Sequence, residues 1–377
     1  MAGHIIGMKK ILLVTRPICP PWDEASKNFA YYLSQNIKDS EIHLLTNGIL
    51  PHLEANIIQE PIYNSNRFDL SQKIKLFKFL RKNRNNFDIT HYLFTPTKQN
   101  SFFIKKFARP KRGKTIQTIA TLREDLHSNE DLKKILFSDL IITYSDYSKN
   151  KLKDLKFEST EKIYPGIDLS LYSPAPKDEK TMKEFGFKPD DFIVTYHGEF
   201  TRLGGTNKLI ESIFQHAEII KEKNIKFVLA CRVKNKDDET KKEALSELIE
   251  ENNLENYVKI PDTFTTLEKV YNLADVATFP VENMQGKFDV PLVVIEAMAC
   301  EKPVIISDLP IFEEFANEQN SVKIETGNME KFFQAVLDIK ENSTRYAELG
   351  KNARIFVKEN FDIKKTAEKY QAVYKNL

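Results

Sequence analysis

The sequence predicts an α/β protein made of two doubly wound parallel-sheet domains in tandem. Three observations carry this. Short β-rich runs alternate with amphipathic stretches through the chain, the pattern of a parallel sheet covered by helices on both faces. The alternation pauses once, at LYSPAPKDEKTMKEFGFKPDD (171–191), a proline- and charge-rich stretch that reads as a linker with one short helix, and then resumes. The length, 377 residues, holds two domains of ordinary size.

In the first half the strand-like runs are KKILLVT (9–15), EIHLLT (41–46), DITHYLF (88–94), KTIQTIA (114–120), LIITYS (140–145) and KIYP (162–165). Residues 25–37 place Phe29, Leu33 and Ile37 on one helical face, with Asp23 and Ser26 as candidate N-caps. The second series is DFIVTYHG (191–198), KFVLACR (226–232), YVKIPD (257–262), DVATFPV (275–281), PVIISD (303–308) and SVKIE (321–325), with helices expected over 207–222, 237–252 and 328–341. The last stretch, 361–377, reads as an amphipathic helix with Ala367, Tyr370, Val373 and Tyr374 on or near one face. The expected domains are 8–175 and 176–361, with the closing helix 362–377 packing back on the first.

Composition fits a soluble globular chain: 41% hydrophobic, 29% charged, net charge +2. No run approaches the ~18 to 20 apolar residues of a membrane span, and the start lacks a signal-peptide layout. Met8 is as good a start as Met1, so residues 1–7 read as an extension. Cys19, Cys231 and Cys300 lie far apart and read as reduced thiols of a cytoplasmic protein. Charge is uneven, however. From Arg67 to Lys114 fourteen Lys or Arg face two acids, which leaves the rest of the chain net acidic. Such a block suits a phosphate-bearing partner (anionic lipid, nucleic acid or a phosphorylated acceptor) or is a solvated helix face; an anionic membrane surface reached through 67–114, with a peripheral position on the inner face, is one of these expectations. The block lacks the spaced aromatics and motifs of nucleic-acid modules, so no nucleic-acid partner is expected.

Ligands of doubly wound domains bind at the carboxyl ends of the strands, at switch points. Two such domains facing each other leave a cleft for two substrates. The first strand-to-helix turn, VTRPICPPWDEASKN (14–28), has no GxGxxG, which disfavours a dinucleotide oxidoreductase. Inside the apolar run LVVIEAMA (292–299) stands Glu296, a carboxylate that is costly to bury without a partner. A ligand hydroxyl would supply one, and so would a pair with Lys302.

SDLIITYSDYSKNKL (138–152), IYPGIDLSLYSP (163–174), YNLADVATFPV (271–281), VPLVVIEAMACEKPVIISDLP (290–310) and LGKNARIFVKENFD (349–362) together resemble the family 4 retaining glycosyltransferases (group 1 glycosyltransferases). These use nucleotide-sugar donors in a GT-B fold, and the resemblance runs over nearly the whole chain from Met8. It implies that Glu296 accepts the ribose hydroxyls of the donor. Val290, Pro291 and Leu292 stand at the start of Glu296's own helix, whose N-terminal amides and dipole can face a diphosphate; Pro291 itself, having no N–H, only opens the turn. Gly198, Glu199, Arg202 and Lys208 fall in the implied phosphate loop. There Glu199 replaces the usual Arg and Gly204-Gly205 replaces Lys-Gly, which makes Arg202, then Lys208, the implied phosphate cations. Arg232 ends a strand on the donor side. The family's first acid before EAMA falls at Phe288, and its flanking Lys287 and Asp289 are taken with Arg202 as the catalytic contacts. On the acceptor side the resemblance points to Asp23, Glu24, Lys27, Asn28, Arg123 and Glu124. Ala120 stands where the family carries a His; His127 lies seven residues on.

The implied reaction is transfer of a sugar with retention, from a UDP- or GDP-linked donor to a glycan or lipid-linked acceptor of cell-surface glycan or glycolipid synthesis. No metal and no cofactor beyond the donor substrate are implied. The alternative is a catalytically silent GT-B protein that binds a nucleotide sugar or a partner.

Overall fold

The structure, a computed structural model, describes residues 8–20, 22, 24–94, 96–261 and 267–377. It divides into two units. The first takes the chain up to Ile167, Gly286–Asp289 and Asn360–Leu377; the second takes Asp168–Gln285 and Val290–Glu359.

The sheet of the first unit has seven strands: β1 (Lys9–Ile18), β2 (Ser40–Asn47), β3 (Ile57–Tyr63), β4 (Ile89–Tyr92), β5 (Lys114–Ile119), β6 (Leu140–Thr143) and β7 (Thr160–Lys162). Their order is β3-β2-β1-β4-β5-β6-β7, every pair parallel. The second unit has β8 (Phe192–Tyr196), β9 (Ile225–Leu229), β10 (Val258–Lys259), β11 (Val276–Phe279), β12 (Val304–Ser307) and β13 (Val322–Ile324), in the order β10-β9-β8-β11-β12-β13, again all parallel. The central strands are buried on both faces, as their unbroken apolar runs require. In each sheet the order reverses once, at β1/β4 and at β8/β11.

Several local features differ from the sequence reading. β3, IIQEPIY, has no counterpart among the expected strands. Glu60 and Pro61 mask it, and both are tolerated because it is an edge strand. The run expected at 162–165 pairs only over Thr160–Lys162. The helix expected over 207–222 is two, Gly205–Gln215 and Ala217–Glu222, broken at His216, whose ring stacks on Phe333 at 3.9 Å. The N-cap of the helix Ala25–Asn36 is Glu24, without a side-chain capping bond; Ser26 lies inside the helix and Asp23 falls outside the described residues.

The first unit gives way to the second at Ile167/Asp168, where the sequence reading put the change at 175/176. The turn Pro165-Gly166-Ile167 is stitched to the start of the last helix. Ile167 N donates to Phe361 O at 2.8 Å, and Ile363 N donates to Ile167 O at 3.0 Å. A Cβ on Gly166 would lie 2.5 Å from Ile363 Cα, so only glycine permits this approach.

That last helix, Ile363–Asn376, buries Ala367, Tyr370, Val373 and Tyr374 against the first unit's core. A buried polar chain fixes it there. His91 of β4 bonds Tyr374 Oη through Nδ1 and Thr118 Oγ1 through Nε2, both at 2.7 Å, and Thr118 Oγ1 meets Tyr370 Oη at 3.1 Å. Burial holds the His91 pKa down to about 3.

Two outcomes are expected of this network. Tyr374→Phe, which leaves a buried imidazole nitrogen unpartnered, lowers first-unit stability by about 1–3 kcal/mol in urea titrations followed by the fluorescence of Trp22, the single tryptophan. Because His91 is harder to protonate folded than unfolded, its stabilisation is complete above pH 6.5. It is lost as pH falls from there toward about 3, by about 1.4 kcal/mol per pH unit.

Candidate functional site

The switch point of the second sheet gathers the loop after β8 and the segment after β11. The first runs His197-Gly198-Glu199-Phe200-Thr201-Arg202-Leu203-Gly204 into the helix Gly205–Gln215. A Cβ on Gly198 would fall 2.0 Å from the Tyr196 ring, so the chain passes there only as glycine. Tyr196 Oη in turn meets Thr206 Oγ1, which donates to Glu199 O at 2.6 Å. Gly204 caps the helix at φ +77°, where a side chain is strained. Glu282, three residues past β11, donates its amide to Leu203 O at 2.7 Å and lays its carboxylate over Gly204.

The cations of this loop are held by carboxylates. Arg202 grips Glu199 with Nε to Oε2 at 2.6 Å and Nη2 to Oε1 at 2.8 Å. Lys234, in the loop after β9, pairs with the same carboxylate. Thr201 Oγ1 donates to Asp238 Oδ1 at 3.0 Å, which ties this loop to the first turn of the helix Lys236–Glu251. Lys208 pairs with Glu282. Arg232 is half-buried, three residues past β9. Arg202, Lys208, Glu199 and Gly198 therefore do come together, with Lys234 and Glu282 added. Glu199, expected as a donor contact, is instead a buried acid that orients two cations.

Glu296 lies on the helix Leu292–Ala299, whose N-cap is Pro291. Val290 and Pro291 are buried and Leu292 opens the helix. Tyr271 Oη donates to Glu296 Oε2 at 2.7 Å, and Tyr172 bonds the carboxylate as well. Burial lifts the Glu296 pKa to about 7, with the two phenols pulling it back. The pair with Lys302 does not form: Lys302 Nζ donates to Asn272 O at 3.1 Å. His197 packs its ring on Tyr271 at 4.3 Å, and its buried Nδ1 meets no partner among the described residues.

Lys287 and Asp289 belong to the first unit. Asp289 is buried; its carboxylate accepts Ser145 Oγ and Ser148 Oγ, and its amide donates to Ala120 O at 2.8 Å. Expected among the catalytic contacts, the carboxylate is found on the N-terminal turn of the helix Asp146–Asp154, which Ser145 caps. Phe288 packs on the first unit's core beside Tyr144.

Of the acceptor-side residues, Asp23 lies outside the described residues. Glu24 pairs with Arg16 at 3.1 Å, Lys27 is buried near the Trp22 ring, and Asn28 Nδ2 donates to Trp22 O at 3.0 Å. After β5, Arg123 (φ +54°) bonds Asp125 through two nitrogens. Glu124 accepts Tyr147 Oη at 2.6 Å and pairs with Lys151 at 2.9 Å; burial would raise its pKa, but these two partners outweigh it and hold the carboxyl low.

Residues 177–356 match the family model described as Glycosyl transferases group 1. They form a group 1 glycosyltransferase domain. An uncharacterized glycosyltransferase of Methanocaldococcus jannaschii is 20% identical over 66% of this chain, and D-inositol 3-phosphate glycosyltransferase of Kineococcus radiotolerans is 24% identical over 45% of it. The matches span 62% and 39% of those relatives' own lengths. Among solved structures, Anabaena HepE in complex with UDP and glucose superposes with a TM-score of 0.76 at 17% identity, over 98% of this chain and 100% of its own. Sucrose-phosphate synthase of Thermosynechococcus elongatus gives 0.77 at 18% identity, over 98% of each chain. The fold of this group 1 domain and its companion unit is GT-B.

Two outcomes test this geometry. Gly198→Ala drives a methyl into Tyr196 and costs the second unit about 1–3 kcal/mol in thermal or chemical unfolding. The Glu296 pKa is raised by folding, from 4.5 to about 7, so its contribution is complete below pH 4.5 and is lost as pH rises through about 7. The stability difference between the wild type and Glu296→Gln therefore shifts against the wild type across that window.

Proposed function

We propose that this protein is a retaining glycosyltransferase. It moves a sugar from a nucleotide-diphosphate sugar to a glycan or lipid-linked acceptor, in the synthesis of cell-surface glycan or glycolipid. The observation that carries the reading is Glu296, a carboxylate set in an apolar helix of a group 1 domain with two phenols as its partners. An ionised carboxylate has about four acceptor sites, so two phenols leave capacity for a ribose diol. Support for the donor class comes from HepE, whose structures are with UDP and with UDP-glucose. A uridine nucleotide is therefore the first donor to test, ahead of a guanosine one.

In this reading Arg202, Lys234 and Lys208 face the diphosphate, beside the N-terminus of the helix Gly205–Gln215. The bond from the anomeric carbon to the phosphate oxygen breaks while the acceptor oxygen bonds that carbon on the same face. The acceptor's proton passes to the departing phosphate oxygen. The cations stabilise the charge that grows on that oxygen, and no side-chain base is needed. Lys287 lies next to this chemistry in sequence. Glu24, Lys27, Asn28, Arg123 and Glu124 of the first unit are assigned to the acceptor.

One observation favours the silent reading. Glu199 and Glu282 already pair with the cations a diphosphate would need. Turnover decides between the two: release of free sugar or transfer to any acceptor from a UDP-sugar excludes a silent protein, and binding without turnover across a donor and acceptor panel excludes the enzyme. Anomeric retention is read by NMR of the product.

In a thermal-shift screen of nucleoside diphosphates and their sugars, a donor at about 100 times its Kd adds about 2.7 kcal/mol of stability. Glu296→Ala abolishes that response; a wild-type shift in this variant removes the ribose assignment. Lys234→Ala and Arg202→Ala weaken UDP by roughly tenfold, one charge-assisted contact each, and leave uridine unaffected.

A further inference from the structure

The first unit carries an exposed apolar surface that the sugar-transfer reading leaves unused. It is built from two elements, the helix Leu70–Asn83 and the helical segment Lys98–Ala108. Phe77 of the first meets Phe103 and Phe107 of the second, with ring centroids 6.1 and 6.5 Å apart. Phe103 stacks on Phe107, and Phe102 packs edge-on against Phe103. Yet Phe102, Phe103 and Phe107 are all exposed, Phe102 to 54%. One helical turn before Phe77 stands Ile74, and a further turn back Leu70, both exposed, Leu70 to 71%. Five large apolar side chains thus face solvent on one stretch of surface, an arrangement that marks an interaction site.

Lysines ring this surface. Lys73, Lys78, Lys105 and Lys106 are exposed, and Lys106 Nζ stands 5.5 Å from the Phe102 centroid and 5.2 Å from that of Phe107. Of the fourteen basic residues between Arg67 and Lys114, only Lys98 and Arg109 have an acidic partner among the described residues. Of the two acids in that stretch, Asp69 caps the helix and Asp88 accepts the Lys10 amide. The local field is strongly positive and uncompensated.

We propose that this surface docks the first unit on an anionic lipid bilayer, with Leu70, Ile74, Phe102 and Phe107 entering the headgroup–acyl boundary and Lys73, Lys78, Lys105 and Lys106 meeting lipid phosphates. The side chains themselves favour lipid over other polyanions. A nucleic-acid platform offers open aromatic faces to bases, whereas these rings stack on each other and lie under Lys106, and Leu70 and Ile74 stack on nothing. A protein interface favours arginine and is depleted of lysine, and the cation seated on these rings, over both Phe102 and Phe107, is Lys106. Long lysine stems lying along apolar surface with their ammonium groups at the phosphate level fit an interfacial anchor. No helix among the described residues is long and apolar enough to cross a membrane, so the contact is with the surface of the bilayer. The proposal stands on this surface alone, and binding is scored without donor or turnover, so its failure leaves the sugar-transfer reading intact.

The test is co-sedimentation of the purified full chain with phosphatidylcholine vesicles, with or without phosphatidylglycerol. The wild type binds the phosphatidylglycerol vesicles at low salt and is released as salt rises. Lys73→Glu with Lys106→Glu lowers the partition by roughly twentyfold or more, about fivefold for each lysine lost. Leu70→Ser with Phe102→Ser lowers it at every salt concentration. Lys180→Glu with Lys351→Glu, two exposed lysines of the second unit, binds as the wild type. Hydrogen–deuterium exchange on the wild type adds a reading that does not depend on any variant folding: vesicles protect 70–83 and 98–108. The proposal is overturned by absent binding, equal binding to pure phosphatidylcholine, equal loss in the second-unit variant, or protection confined to other segments. It is overturned as well if polyuridylate binds through these residues and vesicles do not.

Discussion

A carboxylate buried in an apolar helix is the constraint around which the second unit is arranged. Left without partners, Glu296 would cost several kcal/mol, so the chain must place hydrogen-bond donors where no solvent reaches. It does so with Tyr271, from the helix before β11, and with Tyr172, close after the turn that begins the unit. His197 lies against Tyr271 on the way from β8 into the loop before the helix Gly205–Gln215, so the loop, the phenol and the acid are in one packed sequence of contacts. The pKa near 7 shows that the phenols do not fully offset burial. The site is left short of donors, which is the condition under which a ligand's hydroxyls are bound well.

Two buried networks of the first unit use their polar groups on one another. His91, Thr118, Tyr370 and Tyr374 satisfy one another in the core, and Asp289 accepts from Ser145 and Ser148. Such networks fix position. They hold the C-terminal helix on the sheet and the segment Gly286–Asp289 beside β5 and β6.

What could be read from the sequence tracks the range of the interactions involved. Alternating runs disclosed both sheets, because strand burial on two faces is written locally; only β3, an edge strand carrying Glu60 and Pro61, escaped. The weight given to Glu296 came from the clash of one acid with its apolar neighbours, also a local signal. Tyr172 and Tyr271 stand 124 and 25 residues away from it, and nothing at either position announces the contact. The Glu199–Arg202 pair had a readable three-residue spacing, whereas Lys234 and Glu282 reach this loop from 35 residues beyond Glu199 and 74 beyond Lys208. The burial of Asp289 could not be read locally, because its serines lie 144 and 141 residues earlier.

The two carboxylates beside the loop cations are not equivalent, and the difference bears on whether the cations are available. Lys208 and Glu282 are 43% and 37% exposed, and a pair so open to water is worth about 0–1 kcal/mol. In the proposed reading a diphosphate, with more charge and more acceptors than one carboxylate, would displace Glu282 at little cost, and Glu282 would be a placeholder at the helix N-terminus. Glu199 is only 6% exposed and cannot leave without burying or stranding its charge, so it keeps Arg202 and Lys234 in place whether or not a ligand is present. One carboxylate thus orders two cations. An acid in this loop is therefore compatible with the proposed anion binding, because it positions the guanidinium and the ammonium side by side.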